Sequence, residues 1–160
     1  MIKNEVKMGP MTQKTAPKNQ ISVLIVDDDR DTREMYAASL RAGGFQAREA
    51  DSGEKALQMV AVSQSAVVVT DLRLGGELDG FELARRLRAA EGGGIRIIML
   101  SGASLGDERR QAEDAGCDRF LVKPCLPEEL ANAIRSLVLT PSAPEPGAGR
   151  SAAPSGRARR

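Results

Sequence analysis

Residues 21–30 read Ile21-Ser-Val-Leu-Ile-Val-Asp-Asp-Asp-Arg30, and this stretch decides the fold. Five of its first six residues are apolar, as in a strand buried on both faces, yet it runs straight into Asp27, Asp28 and Asp29. Like charges that close repel, and partial desolvation strengthens the repulsion. A site built this way calls for a positive partner.

Working outward, short β-rich runs alternate with helical ones. FQAREA (45–50), AVVVT (66–70), IRIIML (95–100) and RFLV (119–122) predict further strands, the first of them mixed in character. The intervals predict helices over about 31–42, 53–62, 80–91, 105–115 and 127–138. In the last, Leu126, Leu130, Ala133, Ile134, Leu137 and Val138 form one apolar stripe, and Pro127 suits a first helical turn. Glycines mark helix exits at Gly43-Gly44, Gly92-Gly93-Gly94 and Gly116.

Five βα repeats predict an α/β fold: a five-stranded parallel sheet with right-handed crossovers and helices on both faces. Ligands in such folds bind beyond the carboxyl ends of the strands, near the topological switch point. The polar residues there are Asp27, Asp28 and Asp29 after the first strand, Asp71 after the third, Ser101 after the fourth and Lys123 after the fifth. Helix capping accounts for Asp29 and Asp31, which precede a helix, but not for Asp71 or Lys123.

Bulk composition bounds the rest. At 160 residues the chain is expected to hold one domain, and 41% apolar residues suffice for a core. Only four residues are aromatic, so Val, Ile, Leu, Ala and Met must build it. No apolar run approaches the ~18 residues of a membrane span. The start MIKNEVKMGPMTQK has lysines but no apolar stretch behind them, so no signal peptide is read and a cytoplasmic address is expected. Cys117 and Cys125 make neither a disulfide framework nor a zinc site and read as free thiols. The chain has no histidine, which excludes His-based acid–base catalysis, zinc–imidazole sites and self-supply of phosphohistidine.

Charge is unevenly placed. Residues 1–20 hold Lys3, Lys7, Lys14 and Lys18 against Glu5, for +3. Residues 140–160 hold Arg150, Arg157, Arg159 and Arg160 against Glu145, again +3. Since the whole chain carries +1, the middle carries −5. Fifteen of the residues from Thr140 to Arg160 are Pro, Gly, Ala or Ser, too few apolar groups to offset chain entropy. Both basic tails, 1–20 and 140–160, are expected to be disordered, flanking a domain over 21–139. Four dispersed arginines make a weak patch, so nucleic acid is not an expected partner and a solubilising tail is the preferred reading.

Carboxylates clustered without His or Cys select a hard cation. Mg²⁺ takes oxygen ligands, keeps waters, and typically binds one or two carboxylates plus a phosphoryl oxygen. A lysine and a hydroxyl facing the same spot can hold the remaining phosphoryl oxygens. Phosphoryl transfer needs this positioning and neutralisation of charge, and a carboxylate beside the metal can itself be the nucleophile.

Val-Asp-Asp-Asp at 26–29, Val-Thr-Asp-Leu-Arg-Leu at 69–74, Asp-Gly at 79–80, Met-Leu-Ser-Gly at 99–102 and Lys-Pro at 123–124 resemble the receiver domain of bacterial two-component response regulators. The resemblance covers residues 21–139 and implies a flavodoxin-like sheet of order 2-1-3-4-5. It implies that Asp71 is the phosphoacceptor. Asp28, Asp71 and the backbone carbonyl of Arg73 would ligate Mg²⁺, with Asp27 assisting through water. Lys123 would pair with the phosphoryl group, Ser101 would be the switch hydroxyl, and Phe120 the aromatic partner that turns inward afterward. The Lys123–Pro124 bond is expected to be cis. Asp29 reads better as a surface or helix-capping acid.

The sequence also departs from the family. Gly75 stands where a proline usually follows the phosphoacceptor by four residues, and Asp79 falls one residue late. The loop Leu74–Gly80 therefore carries one extra residue and should be looser. Ser101 stands where threonine is common, Phe120 where tyrosine is, and Cys125 replaces the usual aromatic after Lys-Pro. Leu126 offers no polar cap to the helix behind it, a cost of about 1 kcal/mol.

The function expected is a stand-alone phosphoacceptor switch. It takes its phosphoryl group from a sensor histidine kinase or histidine phosphotransfer protein and signals to an unknown downstream protein. Nothing after residue 139 reads as an output domain. It would catalyse only its own phosphorylation and dephosphorylation. Two alternatives stay open. One is a phosphorylation-independent scaffold on the same fold, against which Asp28, Asp71, Ser101 and Lys123 argue. The other is a haloacid-dehalogenase-like phosphatase built on Asp27-x-Asp29. It would need an acidic metal motif after its lysine, where only Glu128 and Glu129 appear.

Overall fold

The computed structural model describes residues 20–91, 94–102 and 106–140. Apart from Gln20 and Thr140, the two expected tails lie outside the described residues. Five strands, β1 (Ser22–Val26), β2 (Gln46–Ala50), β3 (Val67–Asp71), β4 (Arg96–Ser101) and β5 (Arg119–Val122), alternate with five helices. The helices are α1 (Arg30–Ala42), α2 (Gly53–Val62), α3 (Gly80–Glu91), α4 (Gly106–Asp114) and α5 (Pro127–Leu139). All strand pairs are parallel and the order is β2-β1-β3-β4-β5, the order the resemblance implies. Two strands end later than their apolar runs. Asp71 and Ser101 are the last ladder residues of β3 and β4, with Asp71 opposite Leu100 and Ser101 opposite Val122.

Alternation along the strands divides the core. Val23, Ile25, Val67, Val69, Ile98 and Leu100 face Tyr36, Ala37 and Leu40 of α1 and Leu130 and Ile134 of α5. Leu24, Val26, Val68, Ile97, Met99 and Phe120 face α2, α3 and α4 through Ala56, Val60, Leu83, Leu87 and Ala112. Burial on both faces is why these strands read as continuous apolar runs.

Helix ends follow local chemistry. Asp29 caps α1, its Oδ1 accepting the Thr32 N–H at 2.8 Å, and Asp79 Oδ1 accepts the Glu82 N–H at 2.8 Å beside α3. Gly44 and Gly116 leave α1 and α4 with φ of 88° and 93°, a region closed to most side chains. Leu126 indeed supplies no side-chain cap to α5. Glu129 compensates in part, its Oε2 accepting the Leu126 N–H at 2.9 Å.

The loop Leu74–Gly80 is not the loose segment its extra residue suggested. Glu54, in the first turn of α2, accepts the N–H groups of Glu77 and Leu78 on Oε1 at 3.0 and 3.1 Å. Leu78 itself is 4% exposed. A carboxylate from another helix and one buried leucine fasten the insertion. Gly75 matters for a different reason: a Cβ there would stand 2.9 Å from Asp28 Oδ2. No helix among the described residues is long and apolar enough to cross a membrane.

Candidate functional site

Asp27, Asp71 and Lys123 continue β1, β3 and β5 in the same parity as Ile25, Val69 and Leu121, the residues turned toward α1 and α5. Side chains repeat every second residue, so all three leave the sheet on one side of its carboxyl edge. β1 and β3 are adjacent, and the chain leaves them in opposite directions, which opens the switch-point crevice between Asp27 and Asp71. β5 lies two strand spacings from β3, about 9–10 Å, so only a long side chain can reach across β4. Lysine does. Lys123 Nζ lies 2.6 Å from Asp71 Oδ2 and 3.2 Å from Asp27 Oδ2. The Lys123–Pro124 peptide is cis.

Each carboxylate has further support. Asp71 Oδ1 accepts the Arg73 N–H at 3.0 Å, which lays the Arg73 backbone against the carboxylate. Asp27 Oδ1 accepts the Asp29 N–H at 2.9 Å, and the Asp27 carbonyl accepts from the Arg33 guanidinium at 2.8 Å. Asp27 is 2% exposed, and burial pushes its carboxyl above the ordinary aspartate value, although the Asp29 N–H and Lys123 pull the other way. Burial pulls Lys123 down, but the Asp71 and Asp27 carboxylates outweigh it and hold the ammonium above its ordinary value.

The remaining expected residues stand around this trio rather than in it. Asp28 follows the opposite parity, is exposed, and sits against Gly75 of the Leu74–Gly80 loop. Among the described residues no hydrogen bond or ion pair joins Asp28 to Asp27, Asp71 or Lys123. Ser101 shares the parity of Met99, so it leaves β4 on the side of α4, where its Oγ donates to Glu108 Oε2 at 2.6 Å. Phe120, opposite Met99, is already only 9% exposed beneath the Arg109 guanidinium, 5.8 Å from the ring centroid. An inward turn of this ring therefore has little further exposed surface to bury. Asp29 is occupied as the cap of α1.

Sequence reasoning missed Glu108, Arg33 and Glu54. Glu108 carried one signal, an acid in the first turn of a helix, but that pattern says only that the charge complements the helix dipole. The other two act across 6 and 23 or 24 residues through contacts that no local pattern encodes.

The donor set can be tested against a hard cation. Among the described residues no three His, Cys, Asp or Glu side chains converge as a ready cage. Mg²⁺ does not require one, since it keeps several waters and takes one or two carboxylates. Asp27 and Asp71 share one crevice, the Arg73 backbone lies against Asp71, and all three present oxygen, while Asp28 lies against Gly75. The residues fit a Mg²⁺ ion bound largely through water.

The response regulator receiver domain model matches residues 23–135. The response regulator MprA of Mycolicibacterium vanbaalenii is 38% identical over 133 residues, 83% of this chain and 56% of that protein. MprA of Mycobacterium leprae is 39% identical over 116 residues, 72% of this chain and 50% of that one. The chain thus spans about half the length of the curated relatives it matches. Among solved structures, a response regulator receiver protein from Pseudomonas putida is 29% identical with a TM-score of 0.68, covering 74% of this chain and 98% of that chain. The chemotaxis response regulator CheY4 of Vibrio cholerae is 26% identical with a TM-score of 0.69, covering 76% and 100%. A parallel sheet of order 2-1-3-4-5, carrying two aspartates and a lysine together at its carboxyl edge, is joined here to a family match over most of its length: the chain belongs to the response regulator receiver domains of two-component systems.

Proposed function

We propose that residues 21–139 form a phosphoacceptor switch in which Asp71 takes a phosphoryl group from a phosphohistidine on a sensor histidine kinase or phosphotransfer protein. The observation that carries this reading is the convergence of Lys123 on Asp71 Oδ2 and Asp27 Oδ2 at the switch point of the sheet. A carboxylate oxygen of Asp71 attacks phosphorus, the P–N bond to the donor imidazole breaks, and an acyl phosphate forms. The Lys123 ammonium, paired with Asp71 at rest, supports this reading as the group that would pair with a phosphoryl oxygen. Asp28, Asp71 and the Arg73 carbonyl, with Asp27 through water, would hold Mg²⁺, which would supply charge neutralisation. Receiver domains are signalling modules rather than conventional enzymes, and this one would catalyse only its own phosphorylation and dephosphorylation.

The phosphorylated state then biases a two-state surface that includes Ser101 and Phe120 and is read by a downstream protein in the cytoplasm. Incubation with Mg²⁺ and acetyl phosphate, followed by intact mass and peptide mapping, tests the reading. One phosphoryl group should appear on Asp71 and vanish in Asp71→Asn. A label that persists on Asp27 or Asp29 in that variant would replace the switch with the phosphatase alternative.

A further inference from the structure

Ser101 Oγ lies 2.6 Å from Glu108 Oε2, the short spacing of a hydroxyl donating to a charged acceptor. Ser101 is 3% exposed and Glu108 half-buried, so the contact is shielded from water on the serine side. Glu108 sits in the first turn of α4, where the helix dipole favours a carboxylate. A serine hydroxyl carries one proton. While that proton is given to Glu108 it cannot be given to a phosphoryl oxygen, and the hydroxyl must turn away from the α4 side to reach Asp71.

We infer that Glu108 is a positioning residue that holds Ser101 in the unphosphorylated arrangement and competes with the phosphoryl group for its hydroxyl. The inference rests on the phosphoacceptor reading of Asp71 and adds a restraint to it. Glu108 sets how far the switch equilibrium lies toward the resting side, because phosphorylation must displace a charge-assisted hydrogen bond before gaining its own. Release also has a direction. Arg109, next in the same turn, lies over the Phe120 ring, so letting go of Ser101 frees the turn that also covers Phe120.

A double-mutant cycle on the full chain tests this, with Mg²⁺ and beryllofluoride as the probe and amide chemical shifts as the readout. Glu108→Ala should tighten beryllofluoride binding about three- to tenfold, the scale of one charged hydrogen bond discounted for partial exposure. Glu108→Gln, which keeps an acceptor without the charge, should fall between. In a Ser101→Ala background the Glu108 substitution should change affinity hardly at all, whereas a general effect on α4 would act equally in both backgrounds. Unchanged affinity in Glu108→Ala, or an equal gain in the Ser101→Ala background, overturns the clasp while leaving Asp71 as phosphoacceptor. If the parent takes no phosphoryl group on Asp71 and does not bind beryllofluoride, the phosphoacceptor reading falls and the clasp falls with it.

Discussion

Lys123 Nζ sits 2.6 Å from Asp71 Oδ2 across 52 residues of chain, and the same ammonium reaches Asp27 Oδ2 at 3.2 Å. One cation therefore offsets two carboxylates at the crevice where β1 and β3 part. The Asp run that follows β1 finds a positive partner for Asp27 within the protein. Without the lysine, Asp27 and Asp71 would face each other with only water and backbone N–H groups to soften the repulsion.

Lys123→Ala is accordingly expected to destabilise the metal-free protein by about 1–3 kcal/mol, less than a fully buried pair because the lysine remains partly exposed. Added Mg²⁺ should recover part of the loss, since a divalent ion can take over the neutralisation. Thermal melts with and without Mg²⁺ measure both effects. Equal melting temperatures for variant and parent without Mg²⁺ would show that the lysine does not hold this edge together.

Asp27 works against stability in the resting protein. Burial raises its carboxyl above the ordinary aspartate value, so the folded chain binds this proton more tightly than the unfolded one. Stability from this group is greatest below the ordinary aspartate range, falls as pH rises through the raised native value, and stays lowered at neutral pH. Asp27→Asn removes the charge while Asp71 still pairs with Lys123. Chemical denaturation at pH 7 without Mg²⁺ should show the variant more stable by about 0.5–2 kcal/mol, with the gap closing near pH 3. A variant less stable at pH 7 would mean that the lost Lys123 contact outweighs the relieved burial.

Most of the fold was legible because strand burial leaves a local trace. β1, β3 and β4 are runs of β-branched and aliphatic residues, whereas β2 is mixed, and helices begin at caps such as Asp29 and Ser52 and end at glycines such as Gly44. Strand ends carried part of the site as well: Asp27, Asp71 and Lys123 were placed at the carboxyl edge by the strands they follow, and their shared parity brings them together. What escaped was the angular detail of neighbours. Asp28 and Asp27 are adjacent in sequence, yet the pleat sends them to opposite sides, one toward Lys123 and one toward Gly75. Ser101 reads as a site hydroxyl, but its parity matches Met99 and delivers it to Glu108. The fastening of the Leu74–Gly80 loop was invisible because Glu54 acts from another helix.

That loop supplies a further test. Glu54→Ala leaves the Glu77 and Leu78 N–H groups to water and removes the carboxylate that fixes the inserted residue. The expected cost to global stability is small, with a larger local effect. Amide hydrogen exchange at residues 77 and 78 should accelerate well beyond that of β3, while residues of α5 stay unchanged. Uniform acceleration across the domain, or none at 77 and 78, would show that Leu78 burial alone anchors the loop.

The two thiols give the last prediction. Cys117 and Cys125 are both free thiols. Burial, helped by the neighbouring Asp118 carboxylate, pushes the Cys117 thiol up to about 12, and burial likewise raises Cys125. Only the thiolate attacks an alkylating reagent, so at pH 8 about one Cys117 in ten thousand is reactive at any moment. In urea the thiol returns to its ordinary range and the reactive fraction rises roughly a thousandfold. Iodoacetamide at pH 8 should leave the native chain unmodified over minutes and label both cysteines in 8 M urea, read by intact mass. Rapid native labelling at Cys117 would mean that α4 and β5 open there far more readily than their packing around Ala112, Ala115 and Phe120 implies.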